Sequence, residues 1–500
     1  MQDGKNHDSS VNCLASWFIR SCIHYFILLL LPTLSFSQTV TIEQVVETWK
    51  ADKVLTNSTF AFSVLDAETG TVLKEYNPHI SVIPASTLKV VTTGAALGTL
   101  GKFYRYDTRI YFTGSFDKET GILNGDIIIR GSGDPTLNSE LFLNKKDTND
   151  ITYKWAEVLA KKGLKELRGK IIGDASIYEQ HIPANWIWGD ISNYFGVAPC
   201  GLSFNDNLYS IVFQSKETGS KATILDVKPK YKSITLEHDD DVKAAGKEDD
   251  AYVTGDPFGN KKRVKGTIPP NKKELEVRAA LPDPALLCAE FLETSLNTLG
   301  IKTPTLCAKS NYDSENPEVK KEKLLMHSHY SPALEKIVYY TNLTSNNLFC
   351  ETLLKTMGKG SNYNGIDKTK EYWKAKGLDV SELYMVDGNG LSRANTVTTS
   401  FEANLLYKMY HDSVLFKPFY NSLPVAGLSG SMKNIGKGTF IEKNMKAKTG
   451  YISRARGYCG YVKTKAGKDL TFSVLFNNYN CNPSEMKAKI ETFLIALADL

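Results

Sequence analysis

The chain has 500 residues, 42% of them hydrophobic, and a formal charge of +5. That length exceeds what one core usually holds, so more than one domain is expected. The small charge, without a basic stripe, argues against nucleic acid as a partner and leaves only weak attraction to anionic envelope polymers.

Taken in chain order, the first feature is apolar. Tyr25 to Leu34 reads YFILLLLPTL, with Arg20 upstream and Ser35-Phe36-Ser37 downstream. The run is short for a membrane span and has the layout of a secretory signal peptide. Residues 1–37 are therefore expected to be removed, with Gln38 as the mature start. The mature chain would be exported, to the periplasm or cell envelope, without a stable membrane span; an uncleaved anchor is the competing reading. Cys13 and Cys22 fall in this segment, and Cys22 is not at a lipoprotein position. Cys200, Cys288, Cys307, Cys350, Cys459 and Cys481 are scattered without a CxxC, so no zinc site is expected. Disulfide pairing and burial as free thiols both remain open.

From Thr59, FAFSVLDAETGTVLKEYN reads as a β-hairpin around a Glu-Thr-Gly turn. Pro84 then introduces a buried helix that Gly101 stops. Residues 105–320 look different, with short strand-like runs such as Ile127 to Ile129, then Gly131-Ser132-Gly133-Asp134-Pro135, and a helix near Trp155 to Leu164. A polar part, about 206–275, is nested inside. Glu237-His238-Asp239-Asp240-Asp241 is read there as a solvated loop rather than a metal cage. Helical patterning returns after Ser331, two strands (GYCGYVKT and LTFSVLFNN) follow, and a helix over Ser484 to Leu500 closes the chain. A hairpin early and a hairpin late predict one antiparallel sheet built from both chain ends. The expected division is 38–104 plus 321–500 as one domain, with 105–320 inserted.

Three short motifs carry chemistry. In Ser86-Thr87-Leu88-Lys89, positions i and i+3 share a helical face, so the amine can approach the hydroxyl. A serine nucleophile needs such a proton acceptor, and lysine serves once burial or a nearby cation lowers its pKa. Ser345-Asn346-Asn347 lies in a helix-rich stretch, and Lys448-Thr449-Gly450 at a strand entry. Alone, each could be an ordinary cap or turn. Together and in this order they match the Ser-x-x-Lys, Ser-Asp-Asn and Lys-Thr-Gly trio of β-lactamases and penicillin-binding proteins. Asn346 is a departure at the middle position. Tyr340-Thr341-Asn342 competes for the second motif, but SNNLFCETLLKTMG fits better and Tyr340 is read as a packing aromatic. His327 and His329 are read as strand or loop residues, not metal ligands.

The second motif follows the first only after about half the chain, whereas a compact class A β-lactamase has it much sooner. In this spacing, and in Gly131 to Leu137, Asp387-Gly388-Asn389-Gly390-Leu391-Ser392-Arg393 and Leu423 to Gly427, the chain resembles the class C low-molecular-mass penicillin-binding proteins, the D-alanyl-D-alanine carboxypeptidase/endopeptidase group. The resemblance implies a mixed α/β (α+β) penicillin-binding fold, with an antiparallel sheet flanked by helices and smaller domains inserted between the first two motifs. It implies Ser86 as nucleophile toward D-alanyl bonds of peptidoglycan stem peptides, and β-lactams as covalent inhibitors. Lys89 becomes the base, kept neutral partly by Lys448. Ser345 becomes a proton relay, and Asn347 the holder of Lys89 and the substrate amide. Lys448, Thr449 and Gly450 form the carboxylate-binding strand, and the N–H groups of Ser86 and Tyr451 the oxyanion hole. Asp190, Phe195 and Arg393, with Ser453 assisting, would receive a diaminopimelate-type side chain. No metal or organic cofactor is implied. A β-lactamase, an esterase of the superfamily, and a non-catalytic wall-binding protein of the same fold are the alternatives.

Overall fold

The computed structural model describes residues 40–143, 150–230, 234–237 and 242–500. The expected signal segment and His238 to Asp241 lie outside the described residues.

The main sheet has five strands, all antiparallel, in the order Val72–Tyr76, Thr59–Asp66, Asp469–Asn477, Ala455–Lys463 and Met445–Ile452. It joins both ends of the chain, as the two hairpins predict. Thr59–Asp66 and Asp469–Asn477 are almost wholly buried, because both sheet faces are covered. One face packs helices Ile42–Ala51 and Pro483–Ala496 through Trp49, Phe60, Phe476 and Phe493. The other core gathers helices Lys89–Leu100, Leu334–Leu343, Asn347–Met357 and Thr399–Tyr410. Met445–Ile452, which carries the third motif, is the edge strand beside the Ser86 turn.

A second five-stranded sheet runs Ala308–Asn311, Ile171–Asp174, Ile127–Arg130, Asp107–Phe112 and Leu324–Tyr330. Leu324–Tyr330 pairs antiparallel with Asp107–Phe112, so this sheet extends past the expected boundary at 320. His327 and His329 lie on that strand, and the His329 ring meets Trp155 at 5.8 Å.

The polar part at about 206–275 is built of short strands. Lys261–Ile268 pairs with Thr235–Glu237, Val242–Ala244 and Tyr252–Thr254, and Leu208–Gln214 pairs with Thr223–Lys228 and Leu275–Ala280. Its few apolar residues alternate inward: Val242, Val253, Val264 and Ile268 are buried. Short strands with one apolar residue in two have low average hydrophobicity, which hides them from a composition reading. All six cysteines from Cys200 to Cys481 are free thiols, five of them buried.

Candidate active site

Ser86 sits in a 3₁₀ turn, Ala85–Leu88, that leads directly into helix Lys89–Leu100. In 3₁₀ geometry residues i and i+3 eclipse, which puts Lys89 Nζ 2.9 Å from Ser86 Oγ. Ala85 enters the turn at φ +49°, a left-handed conformation that costs an L-residue energy and is found where surroundings impose it. Those surroundings are two glycines. A Cβ on Gly390 would lie 1.8 Å from the Ala85 carbonyl oxygen. One on Gly450 would lie 2.4 Å from the Pro84 oxygen and 3.2 Å from the Ser86 nitrogen. The glycine of the third motif is thus what lets the edge strand press against the backbone of Pro84 and Ser86.

The Lys89 side chain is fully buried, yet its ammonium donates to Ser86 Oγ, Asn347 Oδ1 (2.7 Å) and the Asn389 carbonyl (2.7 Å). Burial pushes its pKa down to about 8, against the pull of Asp387 and Glu351. Burial is the dominant cause. Lys448, also fully buried, is lowered well below its usual value, first by burial and then by Lys89. Its Nζ donates to Ser345 Oγ (2.9 Å) and to the Thr449 carbonyl (2.7 Å).

Ser345 occupies the break between helices Leu334–Leu343 and Asn347–Met357, at φ +58°. Asn346 caps the second helix by accepting from Phe349 N (2.9 Å). The middle residue of the motif therefore has a local structural task that asparagine and aspartate share. Asn347 turns its Oδ1 to Lys89 and donates through Nδ2 to the Phe195 carbonyl (2.7 Å). Tyr340 packs on Phe142 at 4.9 Å, as a packing aromatic should.

Several residues had no role assigned to them from sequence. Asn389 supplies the third acceptor for Lys89. Its loop is held by Asp387, which accepts from Gly390 N, Ser392 N, Asn395 Nδ2 and Trp186 Nε1 (2.7–2.8 Å). Glu351 accepts from the N–H groups of Gly388 (2.7 Å) and Asn389 (2.8 Å), and burial pushes its pKa up to about 8. The available signal was Glu351 four places after Asn347, on the same helical face among apolar residues. Ser431, on a 3₁₀ turn, meets Thr449 at 2.7 Å.

Ser86, Ser345, Asn347, Tyr451, Asp190, Phe195, Arg393 and Ser453 line one open cleft of about 1080 Å³. Asp190 is half-buried; burial raises its pKa and Arg393 opposes this. Arg393 is exposed and donates to the Ser453 carbonyl (3.0 Å), so Ser453 contributes its backbone to that contact. The Tyr451 side chain is exposed, with Arg456 over its ring.

The geometry agrees with comparisons to known proteins. D-alanyl-D-alanine carboxypeptidase DacB of Haemophilus influenzae is 23% identical, over 87% of this chain and 89% of its own. A D-alanyl-D-alanine carboxypeptidase of Actinomadura sp. is 25% identical, over 90% of this chain and 82% of its own. The crystal structure of penicillin binding protein 4 (dacB) from Haemophilus influenzae has the same fold. It aligns with a TM-score of 0.74 at 21% identity, covering 92% of this chain and 98% of that one. The profile of the D-Ala-D-Ala carboxypeptidase 3 (S13) family matches residues 42–497, and the chain, a serine-type hydrolase, belongs to that family.

Proposed function

We propose that this protein hydrolyses D-alanyl bonds of peptidoglycan stem peptides through an acyl-enzyme on Ser86, and that β-lactams trap it at that step. The observation that carries this reading is the set of three partners around the buried Lys89 amine. Asn347 Oδ1 and the Asn389 carbonyl can only accept. When Lys89 loses a proton, its two remaining N–H bonds go to those acceptors and its lone pair faces Ser86, the one partner of the three able to donate. A pKa of about 8 leaves about one molecule in ten in that state at neutral pH. The neutral amine takes the hydroxyl proton as Ser86 Oγ bonds to the substrate carbonyl carbon.

The developing oxyanion is met by the N–H groups of Ser86 and Tyr451, which the close approach of Gly450 supports. As the C–N bond breaks, the proton returns to the leaving amine through Ser345, whose oxygen already accepts from Lys448 and whose hydrogen is thus available. The terminal carboxylate lies against Lys448 and Thr449. Water then attacks the ester and releases the shortened peptide. Asp190 pairs with a side-chain ammonium, Arg393 with the adjacent carboxylate, and Phe195 packs the methylenes. Export to the cell envelope fits a substrate found outside the cytoplasm; among the described residues no helix is long and apolar enough to cross a membrane.

The test is labelling with a fluorescent penicillin, peptide mapping of the adduct, and mass analysis of products from isolated muropeptides. An adduct on Ser86 and loss of one D-alanine support the reading; an adduct elsewhere, or intact muropeptides, sinks it.

A further inference from the structure

Beyond the catalytic cleft, a second groove of about 830 Å³ opens on the outer side of the Ser345-Asn346-Asn347 loop. It shares Ser345, Asn347, Tyr194 and Phe195 with the cleft, so the two are continuous. Its far wall comes from the inserted region. Arg278, on strand Leu275–Ala280, lies over the exposed Tyr194 ring at 5.2 Å. The guanidinium is 3.9 Å from Glu140, and both side chains are well exposed, so that ion pair is weak and open to exchange. Glu140 is anchored through its backbone N–H, which donates to Asp206 Oδ2 (3.0 Å). Asp206 itself sits in a run of three left-handed residues, Asn205 to Asn207.

We infer that this groove binds the leaving strand of a cross-linked peptide, with Arg278 receiving a carboxylate of that second strand. The inference rests on the functional reading above. Ser345 passes a proton to the leaving nitrogen, so whatever is attached to that nitrogen must continue away from Ser345. A single D-alanine ends at Lys448 and Thr449 and needs no further room. A second peptide needs a channel beginning at Ser345, and this groove begins there. A planar guanidinium on an aromatic face is preorganised for a carboxylate. It can exchange the flexible Glu140 for a substrate carboxylate at little cost. Glu140 and Asp206 then remain to attract an ammonium of the same strand. The bond cleaved is the same D-alanyl amide; the groove sets which amine leaves.

The experiment compares kcat/KM on a short peptide ending in D-Ala-D-Ala with kcat/KM on a purified cross-linked muropeptide dimer. The ratio of the two values is the readout. Arg278→Ala should lower the dimer-to-peptide ratio about tenfold, the effect of losing one charge-assisted contact, and Arg278→Lys, which keeps the charge but not the planar stacked fork, should restore only part of it. A ratio within about twofold of the parent in Arg278→Ala overturns the inference. So does a parent enzyme that cleaves the short peptide but not the dimer, which leaves the carboxypeptidase reading standing. A parent enzyme that cleaves neither removes both.

Discussion

Lys89 and Gly450 show how much of the site depends on single atoms. In the proposed mechanism the reactive form of Lys89 is the neutral amine, so β-lactam acylation should rise about tenfold per pH unit below about 8 and level off above it. Stopped-flow labelling across roughly pH 6 to 9 measures this, and a flat profile would remove Lys89 as base. Lys89→Arg keeps the charge but cannot release its proton, so acylation should fall at least about a hundredfold while the far-ultraviolet circular dichroism spectrum is retained. Gly450→Ala would place a methyl against the Pro84 oxygen and the Ser86 nitrogen. It should cost about 1–3 kcal/mol of stability and also slow acylation, because the strand must retreat from the nucleophile. Thermal melts together with labelling rates check both effects. Glu351 has its pKa raised by burial, so it contributes stability below the ordinary carboxylate pKa that is lost as pH rises through about 8. Glu351→Gln keeps an acceptor oxygen for Gly388 and Asn389 without that titration. Its melting temperature should therefore gain on the parent's between about pH 5 and 8; a constant difference would refute the assignment.

Among elements, the loop 387–395 decides where the Lys89 acceptor sits, and Asp387 decides the loop. Asp387→Ala would leave Gly390 N, Ser392 N, Asn395 Nδ2 and the buried Trp186 indole N–H without their acceptor. The expected loss is about 3–5 kcal/mol, read from denaturant unfolding. Trp186 also ties the segment bearing Asp190 and Phe195 to this loop, so the same change should weaken binding of side-chain-bearing peptides. Asp190→Asn is the local control: it should lower kcat/KM for peptides with a free side-chain amine and barely alter acylation by a simple penicillin. Equal losses on both would make Asp190 structural. The helix break at Ser345 works in a related way. A left-handed serine followed by an asparagine cap turns the chain sharply enough to bring Ser345 to Lys448 and Asn347 to Lys89.

For the whole molecule, residues Ile42–Leu500 form one compact unit in which the main sheet takes its strands from both chain ends. We propose that the region from about 105, with Leu324–Tyr330 included, is inserted as smaller domains around the second sheet. The polar part at about 215–275 holds short strands with few buried side chains, so limited proteolysis should cut there first. Early cleavage inside 331–460 would contradict this division.

The sequence alone determined the trio of motifs, both hairpins and the terminal helix, because each is written in local spacing: three residues for Ser86 and Lys89, two for Ser345 and Asn347, alternation for the strands; Asp190, Phe195, Arg393 and Ser453 followed only from the family resemblance. Only the tertiary structure decided what joins them. Asn389 offers a backbone carbonyl, which no side-chain pattern reveals. Glu351 and Trp186 act on the loop of Asp387 from far away in sequence, and Gly450 matters because of what presses on it. The lowering of Lys89 comes mainly from burial, a property of the surrounding fold rather than of its neighbours in sequence. The groove at Arg278 exists only because strand Leu275–Ala280 is brought beside the Ser345 loop, and long-range contacts of that kind leave no periodic signal in the chain.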